Sequence, residues 1–371
     1  MNSKVVLLLG RKDEPTDAVE EYCRYLCEAL ALSSRSVKGE IVRVPWNERG
    51  WANALEELKR SAQNWRGRWV FLQYTALAWS KRGFPRRVLS VLRILCDAGA
   101  RVGVVFHDVE PFAGTRAVDM LRRQVQLNVM RKMLMAADVG VFTVSLKVVS
   151  WLGSAANAVF VPVGANLPEI QAGVAVESDP SQESARDAGV TRIAIYGITG
   201  GAAGTDECSE IAHAARFAVG RGAKLELHAF GRGAAERETE LRDKLKGAAV
   251  MLHCDGLFPV ERVAAAIRGA DATLFVRGPI SSRRGSAIAG IACGKPVIAY
   301  RGRETESPIT EAGVVLVDRK NDPELGEAIL RVATDRDFRH ELSEQSRRAQ
   351  EMFFSWRAIA ERYIEAMSLK A

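Results

Sequence analysis

The sequence predicts an α/β protein built from two Rossmann-like, doubly wound domains. Its length is the first observation, because 371 residues exceed the usual size of one domain. The second is an alternation of short apolar runs with amphipathic stretches, as parallel strands alternate with helices. The third is a loss of this periodicity over residues 165–190, which are rich in Pro, Gly, Ser and acidic residues. The predicted bounds are 1–168 for the first domain, 169–190 for a linker and 191–353 for the second domain.

Apolar, β-branched runs in the first half predict buried parallel strands. These runs are KVVLLLG, GEIVRVPW, WVFLQYT, ARVGVVFHD, VGVFTVS and AVFVPV. Apolar residues at helical spacing predict helices between them, as where Val19, Cys23 and Leu30 share one face. The helices are predicted over Asp17–Leu32, Trp51–Trp65, Pro85–Ala98 and about Thr115–Ala137, with a short one before AVFVPV.

The same alternation restarts after residue 190. The predicted strands are RIAIYG, KLELHAFG, VMLHCDG, ATLFV, PVIAY and GVVLVD. The predicted helices are Cys208–Val219, one ending at Leu245, Val260–Ile267, Ser286–Cys293, Pro323–Val332, Asp337–Met352 and the final FFSWRAIAERYIEAM. The helix Ser286–Cys293 is small and apolar throughout, which predicts burial on nearly all sides. Gly294 and Pro296 end it.

Composition limits the classes of function. The chain is 47% hydrophobic and 26% charged, as in globular proteins, and its net charge of +7 favours an anionic partner. No recognised nucleic-acid-binding motif is present, so no nucleic-acid partner is predicted. The N-terminal MNSKVVLLLG is interpreted as a core strand and not as an export signal. The six cysteines lie among apolar neighbours without zinc spacing, which predicts reduced cysteines in a cytoplasmic protein.

Two arginines precede the predicted buried helix. Arg283 and Arg284 lie beside its N-terminus, where unpaired N–H groups and the helix dipole also carry positive charge. Fixed cations at this place favour an anion between them, so the segment is a candidate phosphate site. The alternative interpretation is that both arginines are solvated surface residues.

Several motifs together resemble bacterial GT-B-fold glycosyltransferases of the group-one, glycogen-synthase-like type. They are VVFHD, VFVPVGAN, IAIYG, HAFGRG, ACGKPVIA and FFSWRAIAERYIEAM. The resemblance covers nearly the whole chain. It implies two domains that face each other across a cleft, with the terminal helix, residues 354–371, joined to the first domain. It also implies a nucleoside diphosphate sugar as donor and retention of the anomeric configuration.

The sequence departs from this resemblance in its charged residues. A Glu-x(7)-Glu motif normally precedes ACGKPVIA, and the matching positions here are Ser281 and Ala289. The loop GITGGAAGTDE lacks the Arg and Lys that neutralise the departing diphosphate, and the first loop, GRKDEPTD, lacks paired glycines. We therefore expect other residues to supply the positive charge.

The predicted donor site lies in the second domain. Its phosphate-binding residues are Gly197, Thr199, Gly200, Gly201, Arg232, Arg277, Arg283, Arg284, Gly285 and Ser286. Glycine backbone permits close approach to phosphates, and arginines form charge-assisted hydrogen bonds with them. By resemblance, Gly256, Leu257 and Phe258 contact the nucleotide base. The alternatives are a ligand-free glycine turn and a buried hydrophobic turn.

Residues at strand ends in the first domain predict the acceptor side. By resemblance, His107 lies near the transferred sugar, and His107, Asp108 and Glu110 are the predicted catalytic residues. The alternative for His107 is a strand cap bonded to Asp108. Tyr74, Trp79 and Arg82 are predicted to bind the acceptor, with a sugar stacked on Trp79 or Phe84. The alternative is a loop that packs its aromatic residues under the domain.

The predicted function is transfer of a sugar from a nucleoside diphosphate donor to a carbohydrate or lipid-linked glycan acceptor. The predicted rivals are a sugar-nucleotide epimerase or hydrolase on the same fold and a catalytically silent binding protein. The basic helix 115–137 predicts peripheral contact with the inner membrane face, against the alternative of a solvated basic surface. No cofactor besides the donor substrate and no metal is expected, because no carboxylate cluster suits a divalent cation.

Overall fold

The computed structural model divides into two compact units. Unit 1 comprises Met1–Val163 and Trp356–Ala371, and unit 2 comprises Gly164–Ser355. The described residues are 4–13, 17–168, 189–319 and 322–368. Most of the predicted linker, 169–190, lies outside the described residues, so its assignment stays a prediction.

Unit 1 contains a six-stranded sheet in which all neighbouring strands are parallel. The strands are β1 (Lys4–Leu9), β2 (Lys38–Arg43), β3 (Trp69–Tyr74), β4 (Arg101–Phe106), β5 (Val139–Phe142) and β6 (Ala158–Phe160). Their order in the sheet is β2-β1-β3-β4-β5-β6. Every residue of β3 and β5 is buried, as continuous apolar strands covered on both faces require.

Helices connect these strands. They are α1 (Ala18–Leu32), α2 (Trp46–Arg49), α3 (Trp51–Ala62), α4 (Val88–Asp97) and α5 (Ala117–Ala136). Asp17 begins α1 as its N-cap, and its carboxylate accepts hydrogen bonds from the N–H groups of Val19 (3.2 Å) and Glu20 (3.1 Å). The short helix α2 was not predicted. Gly50, with φ of +75°, separates it from α3.

Unit 2 contains a second six-stranded parallel sheet. Its strands are β7 (Val190–Tyr196), β8 (Lys224–Phe230), β9 (Val250–Cys254), β10 (Ala272–Phe275), β11 (Val297–Tyr300) and β12 (Val314–Val317). Their order is β12-β11-β10-β7-β8-β9. The order reverses between β7 and β10, and such switch points are where open α/β sheets bind ligands.

The helices of unit 2 follow the predicted order, and the largest shift is at the start of the first helix. They are α6 (Gly201–Gly220), α7 (Glu238–Leu245), α8 (Val260–Gly269), α9 (Gly285–Ala292), α10 (Asp322–Thr334) and α11 (Arg336–Ala349), the last followed by a π-helical turn (Gln350–Phe354). Helix α6 begins seven residues before the predicted Cys208, which corrects the prediction that GITGGAAGTDE is a loop throughout. Gly204 allows this start, because a Cβ there would lie 1.8 Å from the carbonyl oxygen of Thr199.

The final helix, α12 (Trp356–Ser368), belongs to unit 1 and packs against α1. The hydroxyl groups of Tyr22 and Tyr363 are 3.0 Å apart in a buried contact between these helices. The Trp356 ring stacks on Tyr25 with 5.3 Å between ring centroids. Burial raises the pKa of Tyr22 and of Tyr363, so both hydroxyls stay protonated and one donates to the other.

All six cysteines are free thiols. Burial raises the pKa of Cys27, Cys208, Cys254 and Cys293 to about 11, so these thiols are protonated at neutral pH and react slowly.

We expect the substitution Tyr363→Phe to lower the free energy of unfolding by about 1–3 kcal/mol, because it leaves the Tyr22 hydroxyl buried without its partner. The double variant Tyr22→Phe/Tyr363→Phe removes both hydroxyls and regains most of this loss. Urea denaturation of the wild type, the single variants Tyr22→Phe and Tyr363→Phe and the double variant measures the effect. A double variant at least as unstable as the sum of the two single variants would contradict it.

Candidate functional site

The carboxyl end of the unit 2 sheet brings the loop after β7 beside two of the predicted arginines. The N–H of Gly197 donates to the carbonyl of Phe230 (2.8 Å), and the N–H of Ile198 donates to the carbonyl of Arg232 (3.0 Å). A Cβ on Gly197, where φ is +85°, would lie 2.9 Å from Nη1 of Arg277. The Arg277 guanidinium therefore lies directly against this loop.

The loop's N–H groups differ in their availability. Thr199 donates its N–H to the carboxylate of the buried Glu207 (2.8 Å), and the Gly197 N–H is also used within unit 2. Both N–H groups are therefore already engaged, and the predicted close approach of these two residues to a phosphate stays a prediction. Gly200 is the N-cap of α6 and Gly201 its first residue, so their N–H groups lie in the turn that has no intrahelical acceptor.

Arg283 forms a two-point ion pair with Glu304, on the loop after β11. Its Nε donates to Oε2 (2.8 Å) and its Nη2 donates to Oε1 (3.0 Å), with side-chain exposures of 26% and 21%. Burial favours the neutral carboxyl, but the hydrogen bonds and charge of Arg283 prevail and lower the pKa of Glu304. Arg283 is thus anchored, and two of its donor groups are occupied.

Arg277 and Arg284 are held differently. The Nε atom of each is buried, and neither has a hydrogen-bond partner within the described parts of the chain. The pKa of Arg284 is lowered, first by burial and then by the positive charge of Arg283, with a further contribution from Arg277. These two guanidinium groups are the donors that an incoming anion can satisfy.

We name Arg277, Arg283, Arg284 and Glu304 the arginine cluster. Three guanidinium groups and one carboxylate leave it two positive charges in excess. Arg284 is also the N-cap of α9, so the first-turn N–H groups of Gly285 and Ser286 add the positive end of a helix dipole. The predicted Arg232 side chain is exposed. This arrangement is chemically suited to a doubly charged anion such as a diphosphate.

The predicted base-binding loop lies between β9 and α8. The Phe258 ring stacks on Phe230 (5.4 Å between centroids), and the Arg262 guanidinium lies 4.0 Å from its centroid. Gly256 accepts a hydrogen bond from the N–H of Gly231 (2.9 Å). Leu257 is 58% exposed, so its side chain is open to a ligand.

In unit 1, the ring of His107 bonds to Gln73. The Gln73 amide nitrogen donates to the carbonyl of Phe71 (3.2 Å), so its oxygen faces His107 Nε2 at 2.9 Å. A carbonyl can only accept, and this orientation requires that Nε2 carries the hydrogen. In the neutral ring the lone pair is then on Nδ1. The Tyr22 ring meets His107 edge-on at 5.3 Å.

The two predicted acids beside His107 both bind backbone. Asp108 accepts from the N–H of Ala76 (2.7 Å) and lines a cavity of about 220 Å³ with Gln73 and Thr75 at the carboxyl ends of β3 and β4. Glu110 accepts from the Ser150 N–H (2.7 Å) with one oxygen and from the Ser150 hydroxyl (2.8 Å) with the other. Glu110 therefore ties two loops together.

The structure corrects two of the predicted acceptor residues. Tyr74 and Trp79 are 0% and 1% exposed, and the Trp79 indole donates to the carbonyl of Gln73 (2.9 Å). Neither ring has a free face for a sugar, so the alternative of aromatic residues packed under the domain applies to both. The Arg82 side chain is exposed, and its carbonyl accepts from Arg122 Nε (3.0 Å).

Helix α5 carries both basic and apolar residues on its surface. Together with α4 it lines a groove of about 480 Å³ that contains Arg86, Arg131 and Lys132. Met120, Leu121 and Met135 are exposed by 68%, 56% and 85%. Arg122 does not belong to this surface, because it pairs with Asp119 (2.5 Å) and lies against Phe84 and Phe112. Among the described residues, no helix has the length and apolar character needed to cross a bilayer.

Sequence reasoning missed Gln73, Glu207 and Glu304. Gln73 had a signal, a polar residue inside the otherwise apolar strand WVFLQYT. Glu304 also had one, because RGRETES directly follows the buried strand VIAY and so lies at the carboxyl edge of the sheet. In the described part of the chain, no group of three or more His, Cys, Asp and Glu side chains could hold a metal ion.

Comparison with solved structures shows what this fold resembles. A glycosyltransferase from Rickettsia africae superposes with a TM-score of 0.69 at 13% identity, over 100% of this chain and 99% of that one. Anabaena Alr3699/HepE, solved with UDP and glucose, gives 0.67 at 13% identity over 99% and 100%. A Listeria monocytogenes protein described as a UDP-N-acetylglucosamine 2-epimerase gives 0.64 at 11% identity over 99% and 96%. No protein-family model and no curated protein matches the sequence.

These neighbours establish the fold. The chain has the α/β architecture of two parallel six-stranded, doubly wound sheets, as predicted, and it shares this GT-B architecture with the Rickettsia glycosyltransferase and with HepE. At identities of 11–13%, the likeness extends to the fold alone.

We expect Glu304→Gln to lower the free energy of unfolding at pH 7 by about 1–3 kcal/mol, because Arg283 then loses its anion. Because the pKa of Glu304 is lower in the folded protein than the ordinary value of 4.5, the ion pair contributes its full stabilisation at pH values above 4.5. This stabilisation is lost as the pH falls through the pKa that Glu304 has in the folded protein. The difference between wild type and variant should therefore shrink below pH 4.5.

Urea denaturation at several pH values measures this difference, and Glu236→Gln, at an exposed glutamate of unit 2, is the matched control. A gap between wild type and Glu304→Gln that stays constant from pH 7 to the most acidic pH at which the protein folds would refute the prediction.

Proposed function

We propose that the protein is a glycosyltransferase that moves a sugar from a nucleoside diphosphate sugar to a carbohydrate or lipid-linked glycan acceptor. The observation that carries this proposal is the pair of buried Nε atoms of Arg277 and Arg284, which have no hydrogen-bond partner among the described residues and lie in a cluster with two excess positive charges. The fold supports it, because structures of HepE with the same architecture hold UDP and UDP-glucose.

The arginine cluster has a chemical role in this reaction. When the bond between the sugar and the diphosphate breaks, negative charge develops on the leaving group. Fixed guanidinium groups stabilise that charge without reorganising, in the way an oxyanion hole stabilises an acyl-transfer intermediate. Arg277 and Arg284 thus do the work that the resemblance assigns to an Arg and a Lys after the first strand of the second domain.

In unit 1, His107, Asp108 and Glu110 stay the predicted catalytic residues. Gln73 directs the Nε2 hydrogen of His107, so Nδ1 is the ring atom that would accept a hydrogen bond or a proton from a sugar hydroxyl. The cavity beside Asp108 and Thr75 is a better candidate for acceptor hydroxyls than the buried Tyr74 and Trp79. Retention of the anomeric configuration belongs to the proposal, and NMR of the first-formed product tests it.

The epimerase alternative has one specific observation in its favour, the shared fold with the Listeria protein. The two activities differ in what they need. A transferase consumes the donor in proportion to glycan product, whereas an epimerase converts the donor sugar without an acceptor. Following a UDP-sugar by NMR, with and without a glycan extract, separates them, and binding without turnover in either mixture identifies a silent binding protein.

We expect Arg277→Ala and Arg284→Ala each to weaken UDP binding by about 10- to 150-fold, the equivalent of a charge-assisted hydrogen bond of about 1.5–3 kcal/mol. Isothermal titration calorimetry measures the loss. Arg336→Ala is the matched control, because it removes the same charge from an exposed position in the first turn of α11. Equal UDP affinity in all three variants and the wild type would remove the basis of the proposal.

We also propose that the surface of α5 contacts an acidic membrane, since Arg123, Arg131 and Lys132 lie exposed beside exposed Met and Leu side chains. Each basic residue near an anionic surface contributes about 1 kcal/mol. Arg131→Glu/Lys132→Glu should therefore reduce co-sedimentation with phosphatidylglycerol vesicles at least tenfold.

The adjacent pair Lys59→Glu/Arg60→Glu on α3 makes the same change of charge and serves as the control. Binding of the wild type should also weaken with added salt. A wild type that stays in solution with acidic vesicles at low salt would contradict membrane contact.

A further inference from the structure

Glu304 is the one carboxylate of the arginine cluster, and its backbone position is firmly held. The neighbouring Thr305 is buried, and its hydroxyl donates to the carbonyl of Ile280 (2.7 Å) while it accepts from the N–H of Gly302 (2.9 Å). These bonds fasten the loop after β11 to the segment that leads into α9. The side chain of Glu304 keeps 21% exposure, so a ligand can reach it.

A carboxylate at this place opposes phosphate binding. Its negative charge cancels one guanidinium of the cluster and repels a diphosphate, and in a half-buried setting such repulsion is weakly screened. A site that only had to bind phosphate would bind it better with a neutral residue at position 304. The carboxylate therefore indicates a ligand that carries hydrogen-bond donors beside its phosphates.

The geometry leaves Glu304 able to accept further hydrogen bonds. An ionised carboxylate has about four lone-pair sites, and Arg283 occupies one on each oxygen. The lowered pKa of Glu304 keeps the group ionised at neutral pH, when it can only accept. Arg283 offers two parallel N–H donors and so fixes the plane of the carboxylate.

We propose that Glu304 binds a hydroxyl pair of the sugar-nucleotide donor, on the ribose or on the transferred sugar, and that Arg283 is a positioning residue that holds Glu304. Arg277 and Arg284 are then the phosphate ligands. This assignment rests on the proposed donor-binding function and adds its specificity: the site selects a diphosphate ester that carries hydroxyl groups over a bare diphosphate.

Two probes separate hydroxyl recognition from phosphate recognition. UDP-glucose carries phosphates and hydroxyls, and inorganic pyrophosphate carries only the phosphates. We expect Glu304→Ala to weaken UDP-glucose binding at least tenfold in calorimetry and to leave pyrophosphate binding unchanged or stronger, because a repelling charge is gone. Glu304→Gln preserves the size of the side chain and should give the same pattern with a smaller loss.

The role of Arg283 follows from a double-mutant cycle. Arg283→Ala leaves the Glu304 carboxylate without its cation, so it should weaken the binding of both probes, and removing Glu304 as well should restore pyrophosphate binding. If Arg283 acts on the hydroxyls only through Glu304, Arg283→Ala/Glu304→Ala should lose no more UDP-glucose affinity than the weaker-binding single variant. Circular dichroism and thermal unfolding of each variant verify that it is folded, and the Gln variant serves if an alanine variant is not.

The outcomes are distinguishable. If Glu304→Ala weakens the binding of UDP-glucose and of pyrophosphate equally, Glu304 serves only to present Arg283 to phosphate. This outcome overturns the inference, while the proposed function stands. Unchanged affinity for both probes in both Glu304 variants overturns it as well. A wild type that binds neither probe overturns the proposed function and this inference with it.

Discussion

The loops at the carboxyl edge of the unit 2 sheet must hold an excess of positive charge in place, and this is the main constraint on their structure. Neighbouring guanidinium groups repel one another, and the buried Nε atoms of Arg277 and Arg284 have no acceptor among the described residues. Both conditions raise the free energy of the folded state unless the surrounding backbone is held firmly. Gly197 packs its backbone against Arg277, and Glu207 fixes the next turn through the Thr199 N–H. The cations are thereby in place before an anion arrives, and this prior organisation makes electrostatic stabilisation effective.

In both units, a residue at or beyond the end of one strand orients a polar side chain beyond the end of the neighbouring strand. In a parallel sheet the carboxyl ends of neighbouring strands meet at one edge, so residues that follow successive strands become neighbours. Gln73 at the end of β3 bonds to His107 after β4, and Glu304 after β11 pairs with Arg283 after β10. In each pair one residue is a candidate for contact with substrate, and its partner determines which of its atoms is presented.

The fold could be predicted from the sequence because its signals are local. Apolar runs and helical spacing set the strand and helix order, and both sheets follow it with small shifts at the ends. The start of α6 was missed because glycines usually indicate a loop, whereas Gly204 is required by the close carbonyl of Thr199. Tyr74 and Trp79 were misassigned because aromatic residues beside basic ones have the same pattern whether the loop exposes or buries them. The pairing of Arg283 with Glu304 depends on register between strands, which no single segment encodes.

The charge of the cluster also bears on the choice between binding and catalysis. A nucleoside diphosphate sugar carries about two negative charges, and its leaving group gains about one more as the bond to the sugar breaks. Three arginines and Glu304 supply a net charge that matches the donor. The N-termini of α6 and α9 each add a partial positive charge of about half a unit. The proposed site therefore complements the charge of the departing diphosphate better than that of the bound donor. Interactions that strengthen along the reaction lower its barrier, while a protein that only binds the donor has no need of them. This difference favours a transferase over a silent binding protein on the same fold.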